Sequence, residues 1–169
     1  MMVTKLNHRS VADFDGMSPE YASALFEAAS ALQREPEVTL RCALRGKNLA
    51  VLCDARHEAE GEAEFFQRSA TALGAQVVRL RPSLGDGDAG EQVRHVGSML
   101  GRLYDGIECI GMPPELVRRI GADAGIPVFE GISAESHPLS RLADRLPGGR
   151  STIGNRCAAV QAVLIAALA

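Results

Sequence analysis

The sequence has no long apolar run and no secretory signal. Its longest apolar stretch, residues 157–169, includes Gln161, whereas a helix that crosses a bilayer needs about 20 apolar residues. The N-terminal MMVTKLNHRS is polar and charged, where a signal peptide needs an apolar segment. We therefore expect a cytoplasmic protein that neither spans nor binds a membrane.

The four cysteines lack the spacing of a zinc site or a disulfide framework. Cys42, Cys53, Cys109 and Cys157 lie far apart, and no C-x-x-C pair occurs. Crosslinks and zinc sites are indicated by paired cysteines or by a secretory context. We expect all four to be small buried side chains in a reducing compartment, and we expect no metal and no cofactor.

Basic residues are neither in excess nor clustered. The 18 Lys and Arg face 21 Asp and Glu, for a net charge of −3, and their scatter argues against a nucleic-acid partner. The chain also lacks a G-x-S-x-G elbow, a P-loop and an H-E-x-x-H motif. These absences leave no indication of the enzyme classes that the motifs mark.

What the sequence does contain is an alternation of strand and helix patterns. Ser18, Pro19 and Glu20 form a helix start that predicts a helix over 18–34. Strands are predicted at 47–53, 76–80, 107–111 and 126–130, and helices at 62–73, 89–104 and 113–123. This order predicts a single α/β domain, a three-layer α/β/α structure with a short parallel sheet of about four strands.

Several segments together resemble the carbamoyl-phosphate-binding half of the ornithine carbamoyltransferases, with aspartate carbamoyltransferases as more distant relatives. They are residues 101–107 (GRLYDGI), 124–129 (AGIPVF), 137–138 (HP), 13–14 (DF), 18–20 (SPE), 44–50 (LRGKNLA) and 72–77 (ALGAQV). Their order and spacing carry the resemblance. It implies the Rossmann-like fold of that family's N-terminal domain, and the homotrimer that its members form through this domain.

The resemblance also implies a division of the chain. Residues 1–150 match the carbamoyl-phosphate-binding domain, and residues 151–169 resemble the family's last helix, so the second domain between them is expected to be missing. Apolar residues in that last segment are spaced to form one stripe, at Cys157, Val160, Val163, Leu164 and Leu168. We expect this helix to pack back on the same single compact domain.

The family's phosphate-binding loop, Ser-Thr-Arg-Thr-Arg, has no counterpart here. At its place lie His57, Glu58, Glu60 and Glu62, with no arginine. A carboxylate about 4 Å from a phosphate repels it by roughly 4 kcal/mol at an effective dielectric constant near 20, which predicts a degenerate phosphate loop. Two other interpretations stay open: acidic residues that stabilise a helix start, or a divalent-cation or cationic-ligand site.

Two residues match family positions that bind carbamoyl phosphate. The resemblance assigns Arg102 to an arginine that contacts this ligand, and His137 to the histidine that polarises its carbonyl group. The family's His-Pro-Thr-Gln reads here as His-Pro-Leu-Ser at 137–140, so the glutamine that holds the carbamoyl group is absent. Alternatively, Arg102 is a helix-surface residue and His137 a loop residue before a helix that Pro138 starts.

These losses favour a degenerate ornithine-carbamoyltransferase-like protein without transferase activity. We expect a binding or regulatory module, or a partner subunit, that forms a homo-oligomer or a hetero-oligomer with a full-length carbamoyltransferase. The alternative is an enzyme or sensor that binds carbamoyl phosphate, or a related carbonyl ligand, through Arg102 and His137.

Overall fold

The computed structural model describes residues 18–54, 60–82, 90–147 and 151–169. The elements in these ranges are α1 Pro19–Leu32, α2 Glu37–Leu40, β1 Asn48–Cys53, α3 Glu60–Thr71, β2 Gln76–Leu80, α4 Gly90–Leu103, β3 Gly106–Ile110, α5 Pro114–Ala124, β4 Val128–Glu130, α6 Pro138–Asp144 and α7 Thr152–Leu168. The predicted strands and helices agree with these bounds to within two residues. The short helix α2 was not predicted.

The strands form one parallel sheet in the order β2-β1-β3-β4. Strand β3 is buried at every position, and β1 at every position except Asn48, as expected for central strands that are covered on both faces. The edge strand β2 is only partly buried. The predicted α/β class with a four-stranded parallel sheet is confirmed.

Helices cover both faces of the sheet, so the core has two parts. On one face, Leu49 and Val51 of β1 pack with α1, α3, α6 and α7. On the other face, Ala50 and Leu52 pack with α4 and α5. This alternation follows from the two-residue period of a strand, which sends successive side chains to opposite faces.

Local sequence signals set the helix ends. The Ser18 hydroxyl oxygen accepts a hydrogen bond from the Tyr21 N–H at 3.2 Å, and Pro19 occupies the first turn of α1. These contacts explain why α1 begins where the sequence predicts. Gly125 ends α5 in the left-handed conformation, with φ at 66°, which glycine adopts without steric cost.

Helix α7 is buried on more sides than a single apolar stripe predicts. Every residue of 158–164 is buried, including Gln161, whose side-chain amide donates to the Ser69 carbonyl oxygen at 3.2 Å. The reason is that α7 packs against α1, α3 and α6 at once. Its small alanines allow this close approach on several sides.

The prediction of four buried cysteines is wrong in part. Cys53 and Cys109 are buried, but Cys157 is half-buried and Cys42 is exposed. Cys42 lies in the turn after α2, with its sulfur 3.6 Å from the Val38 carbonyl oxygen. Among the described residues, no helix is long and apolar enough to cross a membrane.

Candidate functional site at the carboxyl edge of the sheet

The carboxyl ends of the four strands meet at one edge, because all four are parallel. Helix α3 begins beside this edge at Glu60, and residues 131–137 lead from β4 to α6. Ligands of open parallel α/β sheets bind outside the carboxyl ends of the strands. This edge is therefore the candidate site.

Arg79 in the edge strand and Arg81 just after it neutralise the acidic start of α3 in part. The Arg79 guanidinium lies 2.5 Å from a Glu60 carboxylate oxygen and also donates to the Gln67 side chain at 2.9 Å. Arg81 approaches the other Glu60 oxygen at 3.7 Å. Both guanidinium groups are thus engaged with Glu60, whose side chain is 70% exposed. His57 and Glu58 lie outside the described residues.

A buried carboxyl group lies deeper in the sheet at Glu108, in the middle of β3. Its Oε1 atom accepts hydrogen bonds from the Ser133 N–H at 3.2 Å and from the Ser133 hydroxyl at 2.9 Å. The pKa of Glu108 is raised to about 8, mainly by burial; the charge of Glu62 also raises it, and the hydrogen bonds from Ser133 and Ile132 oppose the rise in part. Glu108 is therefore mainly protonated at neutral pH.

The loop that contains Ser133 is also tied to α7. The Arg156 guanidinium donates to the Ser133 carbonyl oxygen at 2.9 Å and to the Glu135 carboxylate at 2.9 Å. It lies over the Phe65 ring, 4.7 Å from the centroid, within the range of a cation–π contact. These contacts hold Arg156 against the protein.

His137 lies at the end of the same loop and caps helix α6. Its Nδ1 atom accepts a hydrogen bond from the Leu139 N–H at 3.1 Å, and Pro138 occupies the first turn. This geometry is that of a loop histidine before a proline-initiated helix. It gives His137 a structural role without reference to a ligand.

Arg102 lies at the opposite edge of the sheet. It is an exposed residue in the last turn of α4, and Asp105, three residues later, exchanges hydrogen bonds with the backbone of Asn48, the first residue of β1. A five-residue strand spans roughly 17 Å. The structure therefore does not bring Arg102 and His137 together in one site.

The Arg102 side chain belongs instead to an open depression on the outer face of α4. The described residues that line it are His95, Ser98, Met99, Arg102 and Leu103. A basic residue in the last turn of a helix is also favoured by the helix dipole. This position fits the interpretation of Arg102 as a helix-surface residue.

The edge offers neither a reactive thiol nor a metal centre among the described residues. Burial raises the pKa of the Cys53 thiol, and the nearby Arg81 and Arg79 only partly oppose this, so the thiol stays protonated and poorly nucleophilic at neutral pH. No group of three or more His, Cys, Asp or Glu side chains is arranged in the described part of the chain to hold a metal ion.

Sequence reasoning missed the residues that organise this edge. Arg79 and Arg81 could have been noticed as basic residues two apart at a strand end, where they share a face. Glu108 could have been noticed as the one charge within the apolar run of β3. No sequence signal joins Arg156 to residues 133 and 135, because α7 contributes it through tertiary packing.

Comparisons with known proteins agree with this architecture. An ornithine carbamoyltransferase of Neisseria cinerea is 41% identical over 81 residues, which are 48% of this chain and 31% of that protein. One of Haemophilus influenzae (strain PittGG) is 36% identical over 103 residues, 61% of this chain and 30% of that protein. The crystal structure of ornithine carbamoyltransferase from Thermus thermophilus matches with a TM-score of 0.62 at 29% identity, covering 80% of this chain and 46% of that one. No protein-family model matches.

The chain is a partial-length relative of the ornithine carbamoyltransferases. It spans about a third of the length of the curated relatives that it matches, and just under half of the Thermus structure. The likeness to ornithine carbamoyltransferases therefore concerns one part of those proteins, with its four-stranded parallel sheet.

Proposed function

We propose that this chain is a degenerate ornithine-carbamoyltransferase-like module that lacks carbamoyltransferase activity and acts in the cytoplasm as a binding or regulatory module or as a partner subunit. The observation that carries the proposal is the start of α3. Its described acidic side chains, Glu60 and Glu62, lie in or beside the segment that the resemblance assigns to the family's phosphate loop, and this segment contains no arginine. The guanidinium groups of Arg79 and Arg81 are both engaged with Glu60.

An anionic phosphate would meet unfavourable electrostatics at this helix start. Glu60 competes with it for both arginines, and Glu62 adds a second negative charge. The exposed Glu60 pairs contribute little stability in themselves, about 0–1 kcal/mol each. Their effect on function is to occupy the cations that a phosphate would need.

The arrangement speaks against the alternative of a site formed jointly by Arg102 and His137. The two residues belong to opposite edges of the sheet, and each has a structural explanation in its own helix.

Residues 1–150 and 151–169 are proposed to form one domain, in which α7 covers α1, α3 and α6.

Titration calorimetry with carbamoyl phosphate, at low salt and known oligomeric state, tests the loss of ligand binding. We expect no binding heat, and no transfer of a carbamoyl group to ornithine, under conditions in which the Thermus thermophilus enzyme serves as positive control. Micromolar binding that disappears in both Arg102→Ala and His137→Ala would overturn the proposal and support the sensor alternative.

The role as a partner subunit is tested separately by sedimentation velocity. Because the resemblance to the ornithine carbamoyltransferases implies assembly through this domain, we propose self-association into a trimer or mixed assembly with a full-length carbamoyltransferase. A strictly monomeric chain that also fails to co-sediment with a full-length carbamoyltransferase would contradict this part of the proposal and leave the loss of activity standing.

A further inference from the structure

The Glu108 carboxyl group fastens the loop 131–136 to the middle of the sheet. Its Oε1 atom accepts both hydrogen bonds from Ser133, at 3.2 and 2.9 Å. Its Oε2 atom is fully buried and has no hydrogen-bond partner among the described residues. A carboxyl group in this setting is tolerated as the neutral acid, whereas a buried unpaired charge is costly.

Among the described residues, the hydrogen bonds from Ser133 and Ile132 offset the burial of a negative charge on Glu108 only in part. From α3 the charge of Glu62 opposes ionisation of Glu108. The thiols of Cys53 on β1 and Cys109 on β3 lie within its electrostatic reach, and burial raises the pKa of both. From β4 its register partner is the uncharged Phe129.

The positively charged side chain of Arg156 on α7 is engaged with acceptors other than Glu108. Arg156 binds the Ser133 carbonyl oxygen and Glu135, so it holds the same loop from the outside. Gly131 opens the loop with φ at 62°, a conformation in which the chain can pivot without a side chain in the way. The loop is thus held to the sheet by Glu108 and by the Gly131 N–H, which donates to the Cys109 carbonyl oxygen at 2.9 Å, and to α7 by Arg156.

We propose that Glu108 is a proton-controlled latch: the neutral acid holds the loop 131–136 on the sheet, and loss of its proton to solvent releases the loop about Gly131. The opened loop would admit water to the carboxylate and would move Ser133 away from the carboxyl edge. The latch is the pair of hydrogen bonds from Ser133 to Glu108, so it operates whether or not the chain binds carbamoyl phosphate.

The pH range follows from linkage. Burial raises the pKa of Glu108 to about 8 in the closed loop, and a solvated glutamate in the open loop has an ordinary pKa near 4.5. Between these values the closed form binds more protons than the open form, so the free energy of loop closure becomes less favourable as pH rises. Above about pH 8 it no longer changes with pH.

Hydrogen–deuterium exchange of the full chain tests the latch. After correction for intrinsic exchange, we expect protection of residues 131–136 to fall by roughly tenfold or more between about pH 5.5 and pH 8. Glu108→Gln, which mimics the neutral acid, should keep the loop protected from exchange at both pH 5.5 and pH 8. The exposed Glu64→Gln is the matched control and should behave like the wild type. Peptides from α5 report any change in global stability.

Two results would overturn the latch. One is loop protection with the same pH dependence in the wild type and in Glu108→Gln. The other needs no variant: carboxyl-carbon NMR of glutamate-labelled wild-type protein that shows every glutamate titrating near the ordinary value would exclude a neutral Glu108.

Discussion

Glu108 is the residue at which burial and ionisation conflict most directly. Its pKa is raised to about 8 in the folded chain, against 4.5 for an ordinary glutamate. A group with a raised folded-state pKa contributes its full stability below the unfolded value, and that stability is lost as pH rises toward the folded value. The folded chain should therefore lose stability between about pH 4.5 and pH 8.

Glu108→Gln should remove this loss. At pH 8 we expect the variant to be more stable than the wild type, by an amount on the order of a few kcal/mol, because its amide oxygen still accepts from Ser133 and carries no charge. At pH 4.5 and below, the two proteins should be about equally stable. Urea unfolding at both pH values measures this, and wild-type and variant curves that stay parallel over the range would contradict it.

At the scale of elements, the contact between α4 and α5 depends on glycines. A Cβ atom built at Gly101 would lie 1.9 Å from the Ala124 carbonyl oxygen, and one at Gly97 would lie 3.0 Å from the Ile120 carbonyl oxygen. Both obstacles are backbone atoms, which cannot turn aside as a flexible side chain can. The two helices approach as closely as they do because these positions lack side chains.

Gly101→Ala should therefore separate α4 from α5 and destabilise the fold by about 1–3 kcal/mol or more. Gly61→Ala in α3 is the matched control, because its added Cβ meets nothing within 4 Å and alanine favours a helix by up to about 1 kcal/mol. Thermal unfolding followed by circular dichroism compares the two. Equal midpoints for both variants would show that α4 can shift at no cost.

The same elements show what the sequence could and could not predict. The strand and helix bounds followed from apolar periodicity and caps such as Ser18, because these are local signals. The separation of Arg102 from His137 and the pairing of Glu60 with Arg79 depend on which ends of the strands meet, and a motif comparison does not contain that information. The burial of α7 on several sides depended likewise on three partners that lie far away in sequence.

At the scale of the whole molecule, α7 supplies part of the core on one face of the sheet. It packs against α1, α3 and α6 on one face of the sheet, and its Leu164 is fully buried there. Leu164→Ala should cost about 2–5 kcal/mol through lost contacts and the cavity left behind. Ile153→Ala on the same helix is the control: Ile153 is 56% exposed, and its truncation should change stability by less than about 0.5 kcal/mol.

The two tyrosines of the described chain report on the two faces separately. Tyr21 packs against the core that contains α7, and Tyr104 against the core beneath α4 and α5. In the Tyr104→Phe variant the remaining Tyr21 reports on the face that contains α7. In the Tyr21→Phe variant the remaining Tyr104 reports on the face beneath α4 and α5. If residues 151–169 belong to one cooperative domain with the rest, Leu164→Ala should lower the urea midpoint of both reporters equally, because the shared central strands transmit the loss. A shift at Tyr21 alone would mean that α7 docks and releases as a separate unit.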